Sequence, residues 1–241
     1  MEDKTHIFLT NEHVVKAICN DFRQYEPQVL LFCEVMRLLP GGESGVKMEL
    51  HKKGAWVSAP DSRNLRWMEG SELAEHLCTT LAAIDFEPEL LAAIASRVFQ
   101  TRVVPDVDPK TGQPGLSIET GIEGYSCRQC GHCCLSLDYR DEIRVEDVER
   151  WQALGRTDIL EWVGVFKGED QKTVYQIWIQ PGTREVAEKC PFLQKDAATN
   201  RWLCRIHDVK PAICRQYPVS RKHALMTGCP GFDDPRSEKD N

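Results

Sequence analysis

The run Ser-Cys-Arg-Gln-Cys-Gly-His-Cys-Cys places four cysteines, Cys127, Cys130, Cys133 and Cys134, within eight residues. Four more stand singly at Cys190, Cys204, Cys214 and Cys229. Thiolates at two-residue gaps are soft ligands that can turn onto one centre, as in zinc sites and iron–sulfur clusters. In Cys127-x2-Cys130-x2-Cys133 the chain can curl, helped by Gly131, so that three sulfurs cap three corners of a cubane. Neighbouring side chains are expected to diverge, which makes Cys133 and Cys134 awkward partners for one tetrahedral zinc. The pair is expected to serve two centres, or two metals of one larger cluster.

The later cysteines carry signals of their own. Cys190-Pro191-Phe192-Leu193 and Cys229-Pro230-Gly231 each put proline after a thiol, which removes an amide donor and stiffens the turn. Cys204-Arg-Ile-His207 offers a Cys-x2-His pair that zinc and iron both accept. His207 is therefore a candidate ligand, weighed against a surface histidine. His132 inside the cluster loop is a weaker candidate, and His223 has no sequence context. Arg215, beside Cys214, either offsets the charge of the centre and donates to sulfur or is a solvated arginine. Asp138, Asp141 and Glu142 follow the cluster and could act as bases or oxygen ligands, although carboxylates at a helix start usually cap it.

The order Cys-x2-Cys-Gly-x-Cys-Cys, Cys-Pro-Phe-Leu, Cys-x-Ile-His and Lys-Pro-x-x-Cys-Arg-x-Tyr-Pro resembles the YkgJ-like cysteine-cluster family over 125–232. Cys127, Cys130, Cys133 and Cys134 match its first block. Cys190, Cys204 and Cys214 match the later ones, and Cys229 falls where a last member would. The resemblance implies a domain that chelates zinc or iron. The cluster is also similar to that of the flagellin lysine N-methylases, which implies an iron–sulfur centre.

Disulfide bonding is the competing use of cysteine. The chain opens Met-Glu-Asp-Lys-Thr-His, without the basic and apolar pattern of a secretory signal, and its apolar stretches fall short of the roughly 20 residues a membrane span needs. Eleven cysteines cannot all pair, and a cytoplasmic location, the expectation here, keeps thiols reduced. The formal net charge of −7 offers no basic face for nucleic acid or anionic membrane. A protein partner is the expected one.

Around these residues the sequence predicts an α+β protein. Its first part, 1–104, reads as mainly helical with a small hairpin. Val14, Val15, Ile18, Cys19 and Phe22 recur at helical spacing behind two potential caps, Thr10 and Asn11. A second apolar pattern covers 29–39, and alternation over 45–60 around Lys52-Lys53-Gly54 predicts the hairpin. Ser71 is expected to cap a helix presenting Leu73, Leu77, Leu81 and Ile84, and Pro88 to open another presenting Leu91, Ile94 and Val98. Cys19, Cys33 and Cys78 lie on these faces and read as packing residues rather than ligands. Pro105, Pro109, Gly112, Pro114, Gly115, Gly121 and Gly124 mark 105–124 as a linker. The remainder, 125–241, reads as a cysteine-cluster domain of short elements, with helices near 146–154 and 158–163, strands over 174–180 and 201–206, a helical turn over 209–217, and a fraying tail after Phe232. Such elements cannot carry a large core, so metal is expected to tie them together.

These residues predict a metal-binding cysteine-cluster protein, with an iron–sulfur cluster preferred and a redox or maturation role. A zinc-stapled interaction module is the alternative. A metalloenzyme distantly like the methylases is a third reading. No Gly-rich phosphate loop, His-Glu-x-x-His or Ser/His/Asp order is present to name a reaction.

Overall fold

The structure is a computed structural model. It describes residues 5–25, 28–40, 45–58, 64–135, 143–168 and 172–232. Asp138, Asp141, Glu142 and the tail after Phe232 lie outside the described residues. Contacts divide the chain into one unit of Met1–Gly121 and another of Ile122–Asn241.

In the first unit, β1 (His6–Thr10) leads directly into α1 (Asn11–Gln24), whose start is capped by the Thr10 hydroxyl accepting from the His13 N–H. The buried stripe of α1 is Val14, Ile18, Cys19 and Phe22, the face its spacing predicts. Then come α2 (Val29–Leu38), β2 (Val46–Met48), β3 (Gly54–Ser58) and β4 (Leu65–Glu69). These three strands form one antiparallel sheet in the order β2-β3-β4, with Trp56 paired to Trp67. The predicted hairpin is thus the first two strands of a three-stranded sheet.

Helix α3 (Ser71–Ala82) starts one residue earlier than capping by Ser71 would allow. Gly70 occupies the cap position at φ 54°, and Ser71 is already helical. Helix α4 (Pro88–Phe99) opens with proline in its first turn, where the missing N–H costs nothing. Leu73, Leu77, Leu81, Leu91, Ile94 and Val98 all join one buried core with the α1 and α2 stripes.

Two sequence expectations are corrected in this unit. The stretch read as a linker contains β5 (Val103–Val107) and β6 (Pro114–Glu119), which pair with each other and, through β6, with β1. Its prolines sit within β5 at Pro105, in the turn at Pro109 and at the opening of β6 at Pro114, while Leu116 and Ile118 reach the core. Turn-forming residues hid a short hairpin whose apolar side chains are too few to show a period. Cys19 and Cys78 are buried as expected, but they form a disulfide, with Cα atoms 5.5 Å apart. Packing of α1 against α3 brings the two positions within the reach a cross-link needs, and 59 residues of separation conceal that from the sequence.

The second unit has short elements around its own core: α5 (His132–Leu135), α6 (Val145–Ala153), α7 (Thr157–Leu160), β7 (Val163–Lys167), β8 (Thr173–Ile177), β9 (Leu193–Lys195), β10 (Trp202–Cys204), α8 (Ala212–Gln216) and α9 (Arg221–Met226). Strands β7 and β8 pair, as do β9 and β10. Trp151, Ile159, Ile177, Trp178, Phe192 and Ile206 form the centre of the core, with Cys190 and Cys204 packed against it. The apolar run expected to stay helical through Val163 stops earlier, because Val163 begins β7 and pairs with Ile177. No helix among the described residues is long and apolar enough to cross a membrane.

Candidate metal centre

The cysteine loop is held from both sides by backbone. The Trp202 N–H donates to the Gln129 carbonyl at 2.8 Å, and the Cys190 N–H donates to the Cys134 carbonyl at 3.2 Å. Gly131 sits between these ties at φ 78°, a conformation glycine adopts freely. A Cβ there would also lie 2.5 Å from the Trp202 ring. Glycine is therefore required twice over, for its dihedral and for the indole that packs on it.

None of the eight cysteines of this unit is in a disulfide, whereas two of the three in the first unit are cross-linked. Cys127 and Cys130 are exposed; Cys133, Cys134, Cys190, Cys204, Cys214 and Cys229 are half-buried. The single turn of α5 sets the sulfurs of Cys133 and Cys134 3.9 Å apart. The divergence expected of adjacent cysteines is thus corrected: one tight turn keeps them side by side. Their spacing is near the ~3.8 Å edge of a tetrahedron with ~2.3 Å metal–sulfur bonds, so the pair suits one zinc as well as neighbouring metals.

Around that pair the other thiols gather by two routes. Cys190 precedes β9, and Cys204 ends β10 opposite Leu193, whose N–H donates back to the Cys190 carbonyl. Cys214 follows on α8. Burial pushes the Cys190 thiol up to about 11, with the charges of Cys204 and Cys133 adding, and the Cys214 thiol up to about 12, with the charges of Cys190, Cys204 and Cys133 adding. The Cys134 thiol is raised further, first by its contact with Cys133, then by burial and by the charges of Cys133, Cys190 and Cys214. Each of these thiols keeps its proton at neutral pH until something replaces it.

By the second route, the Ser126 N–H donates to the Gly231 carbonyl at 2.9 Å, laying the start of the cluster beside the Cys-Pro turn of Cys229. The Tyr125 hydroxyl is 3.8 Å from the Cys229 sulfur, and the Tyr125 ring packs on Phe232. Burial raises the Tyr125 pKa, with Cys229, Cys127 and Cys133 contributing. Tyr217 meets the same thiol: its pKa is raised by burial first, with Cys229 and Cys133 adding. As the side chains stand, no three His, Cys, Asp or Glu among the described residues are arranged to hold an ion. The donor chemistry fits a thiophilic metal, and the backbone supplies the neighbourhood.

The remaining candidates take other places. His207 is exposed, its N–H closing a turn on the Cys204 carbonyl at 3.3 Å. His223 gains a context the sequence hid: its ring meets Tyr217 edge-on at 5.0 Å, and its N–H is capped by Ser220. Arg215 donates to Asp147 at 3.3 Å and to the Lys210 carbonyl. Sequence reasoning missed Asp147 altogether. This carboxylate is only 3% exposed and accepts the Ala212 N–H at 2.8 Å, capping α8 from another element. Arg150 and the Trp151 indole donate to the Val209 carbonyl in the same knot, at 2.8 and 2.7 Å. Together these residues fix the segment that presents Cys214. A buried aspartate in the first turn of an amphipathic helix was the available signal, and it reads like an ordinary dipole contact.

Thiols drawn from one loop, one hairpin, two short helices and the turn at Cys229 give this unit the donor chemistry of a cysteine-cluster metal-binding domain. Residues 126–230 match the model of the CxxCxxCC family, described as "Putative zinc- or iron-chelating domain", in agreement with the resemblance carried by the cysteine motifs. No curated protein and no solved structure matches the chain. Metal binding is what the match supports, with zinc and iron equally admitted.

Proposed function

We propose that the second unit carries an iron–sulfur centre on Cys127, Cys130, Cys133 and Cys229, and works as a redox or maturation factor with a protein partner. The observation that carries this is the neighbourhood of Cys229. Its Cys-Pro turn lies beside Cys-x2-Cys-x2-Cys through the Ser126–Gly231 bond and the Tyr125–Cys229 contact, completing a ferredoxin-like donor set. Bound there, the cluster supplies one-electron transfer. The Tyr125 hydroxyl is a donor for the Cys229 thiolate, and its ring packs on Phe232. Exposure of Cys127 and Cys130 leaves the other edge open to a partner. Eight cysteines outside any disulfide suit a reducing compartment such as the cytoplasm, whereas the Cys19–Cys78 bond of the first unit suits an oxidising one.

A zinc-stapled interaction module is the second reading, favoured by the 3.9 Å between the Cys133 and Cys134 sulfurs. Purification without oxygen separates the two. The iron–sulfur reading expects a brown protein that bleaches on reduction and releases acid-labile sulfide. A colourless protein with stoichiometric zinc and no sulfide sinks it and leaves the zinc module.

A further inference from the structure

The short helix α9 runs against the usual pattern of a surface helix. It buries Lys222 and Ala224 and turns Leu225 and Met226 to solvent, 57% and 45% exposed, with Val219 just before it 48% exposed. Exposed apolar side chains scattered singly are ordinary, but here they gather on one short helix and the turn leading into it. We infer that this patch and the cations beside it are the docking surface for a partner protein whose apolar contact residues are rimmed by carboxylates. The inference rests on the protein partner proposed above and adds its chemistry, whatever metal the thiols hold.

Three observations carry it. First, the patch borders the cysteine loop. The Cys229 N–H donates to the Ala224 carbonyl at 2.8 Å, and a Cβ at Gly228 would stand 3.5 Å from the His132 ring. The Ser126–Gly231 bond brings the exposed Cys127 to the same border. Second, cations stand beside it. Arg221 lies one turn before Leu225 on the same side of α9, with its guanidinium over the Phe232 ring at 5.3 Å. Arg128 is exposed between Cys127 and Cys130. Third, the sequence sets no carboxylate among them: neither 125–137 nor 209–232 contains an aspartate or a glutamate. Asp147, which reaches in from α6, is taken up by the Ala212 N–H, Arg150 and Arg215. An apolar centre with a charged rim is the build of a protein interface, and opposite charge on the partner steers the encounter. The net charge of −7 on the whole chain weighs against an anionic membrane as the occupant.

The test uses the full chain purified without oxygen, with iron, zinc and sulfide assayed on each sample. Fluorescence anisotropy reads the binding of a labelled amphipathic Leu/Glu peptide and of the matching Leu/Lys peptide. Flotation with phosphatidylserine vesicles is the third arm. The Leu/Glu peptide should bind, more weakly as salt rises, and the Leu/Lys peptide should not. Leu225→Ser and Arg221→Glu should each weaken that binding about tenfold. Both side chains are exposed, so circular dichroism should be unchanged, and Met226→Ser replaces either variant that fails to fold. No binding of the Leu/Glu peptide, equal binding of both peptides, or binding untouched by the substitutions overturns the inference. Flotation with vesicles in the absence of peptide binding overturns it in favour of a membrane. Peptide binding by a protein without iron or sulfide defeats only the iron–sulfur reading, and iron and sulfide without peptide binding defeat only this inference.

Discussion

Replacing Asp147 with alanine tests whether the metal domain depends on a knot built away from its thiols. The carboxylate accepts the Ala212 N–H at 2.8 Å in a buried setting, a charge-assisted bond worth about 1.5–3 kcal/mol. Its contacts to Arg150 and Arg215 are longer, 3.4 and 3.3 Å, and those side chains are 32% and 40% exposed. Solvent screening limits each ion pair to less than about 1 kcal/mol. The sum for Asp147→Ala is about 3 kcal/mol, or roughly a hundredfold in a local opening equilibrium. Amide exchange followed by NMR reads this directly: the Ala212 N–H should exchange about a hundredfold faster, with α8 loosened around Cys214. Asp147→Asn keeps an acceptor for that N–H and should recover most of the loss. Unchanged Ala212 protection in the alanine variant would refute the capping role.

Other consequences follow from single features. Gly131→Ala forces a side chain into a left-handed position and onto the Trp202 ring, so it should cost about 1–3 kcal/mol and lower metal content, measured by denaturation and metal analysis. Cys78→Ser opens a cross-link spanning 59 residues and should destabilise the first unit by about 4 kcal/mol on chain-entropy grounds, seen as a lower urea midpoint. His76 is held below its ordinary value by burial first and the Arg66 charge second. Its folded pKa is below the unfolded one, so its contribution is present above about pH 6.5 and is lost as pH falls toward the folded value. The urea midpoint of the first unit should therefore drop between about pH 7 and 5, less so in His76→Gln. The Cys190 and Cys214 thiols, pushed up to about 11 and about 12, release protons when metal binds. Metal affinity should fall about tenfold per pH unit for each thiol as pH is lowered, and proton release on titration with Zn²⁺ measures the number. Without metal the sign reverses: the raised folded values stabilise the unit below the ordinary thiol pKa, and that contribution is lost as pH rises.

Helices were the most legible part of this chain. The stripes of α1, α3 and α4 show in the sequence because a three-to-four-residue period over a dozen residues is a strong signal. Each stripe is buried as read except at Val15 and Ile84, which are half-buried, the latter beyond the end of α3. Short strands were harder. β1 offers five residues, β4 lies beyond a stretch of polar residues, and β5 and β6 are interrupted by proline and glycine that imitate a linker. The cysteine motifs exposed the candidate site because ligand spacing is local. What they could not show was long-range: the meeting of Cys229 with Tyr125, the Asp147 cap on α8 and the Cys19–Cys78 bond. Each of these depends on tertiary packing, which leaves no period in the sequence.

If the thiols of the second unit hold metal, mass spectrometry of the intact chain, purified without oxygen and sprayed under native and then denaturing conditions, should show it. The native mass should exceed that of the bare chain and fall to it on denaturation. The eight thiols, Cys127 through Cys229, should become open to alkylation only after that step. Equal masses in both conditions, with those thiols alkylated in the native protein or paired in disulfides, would contradict it.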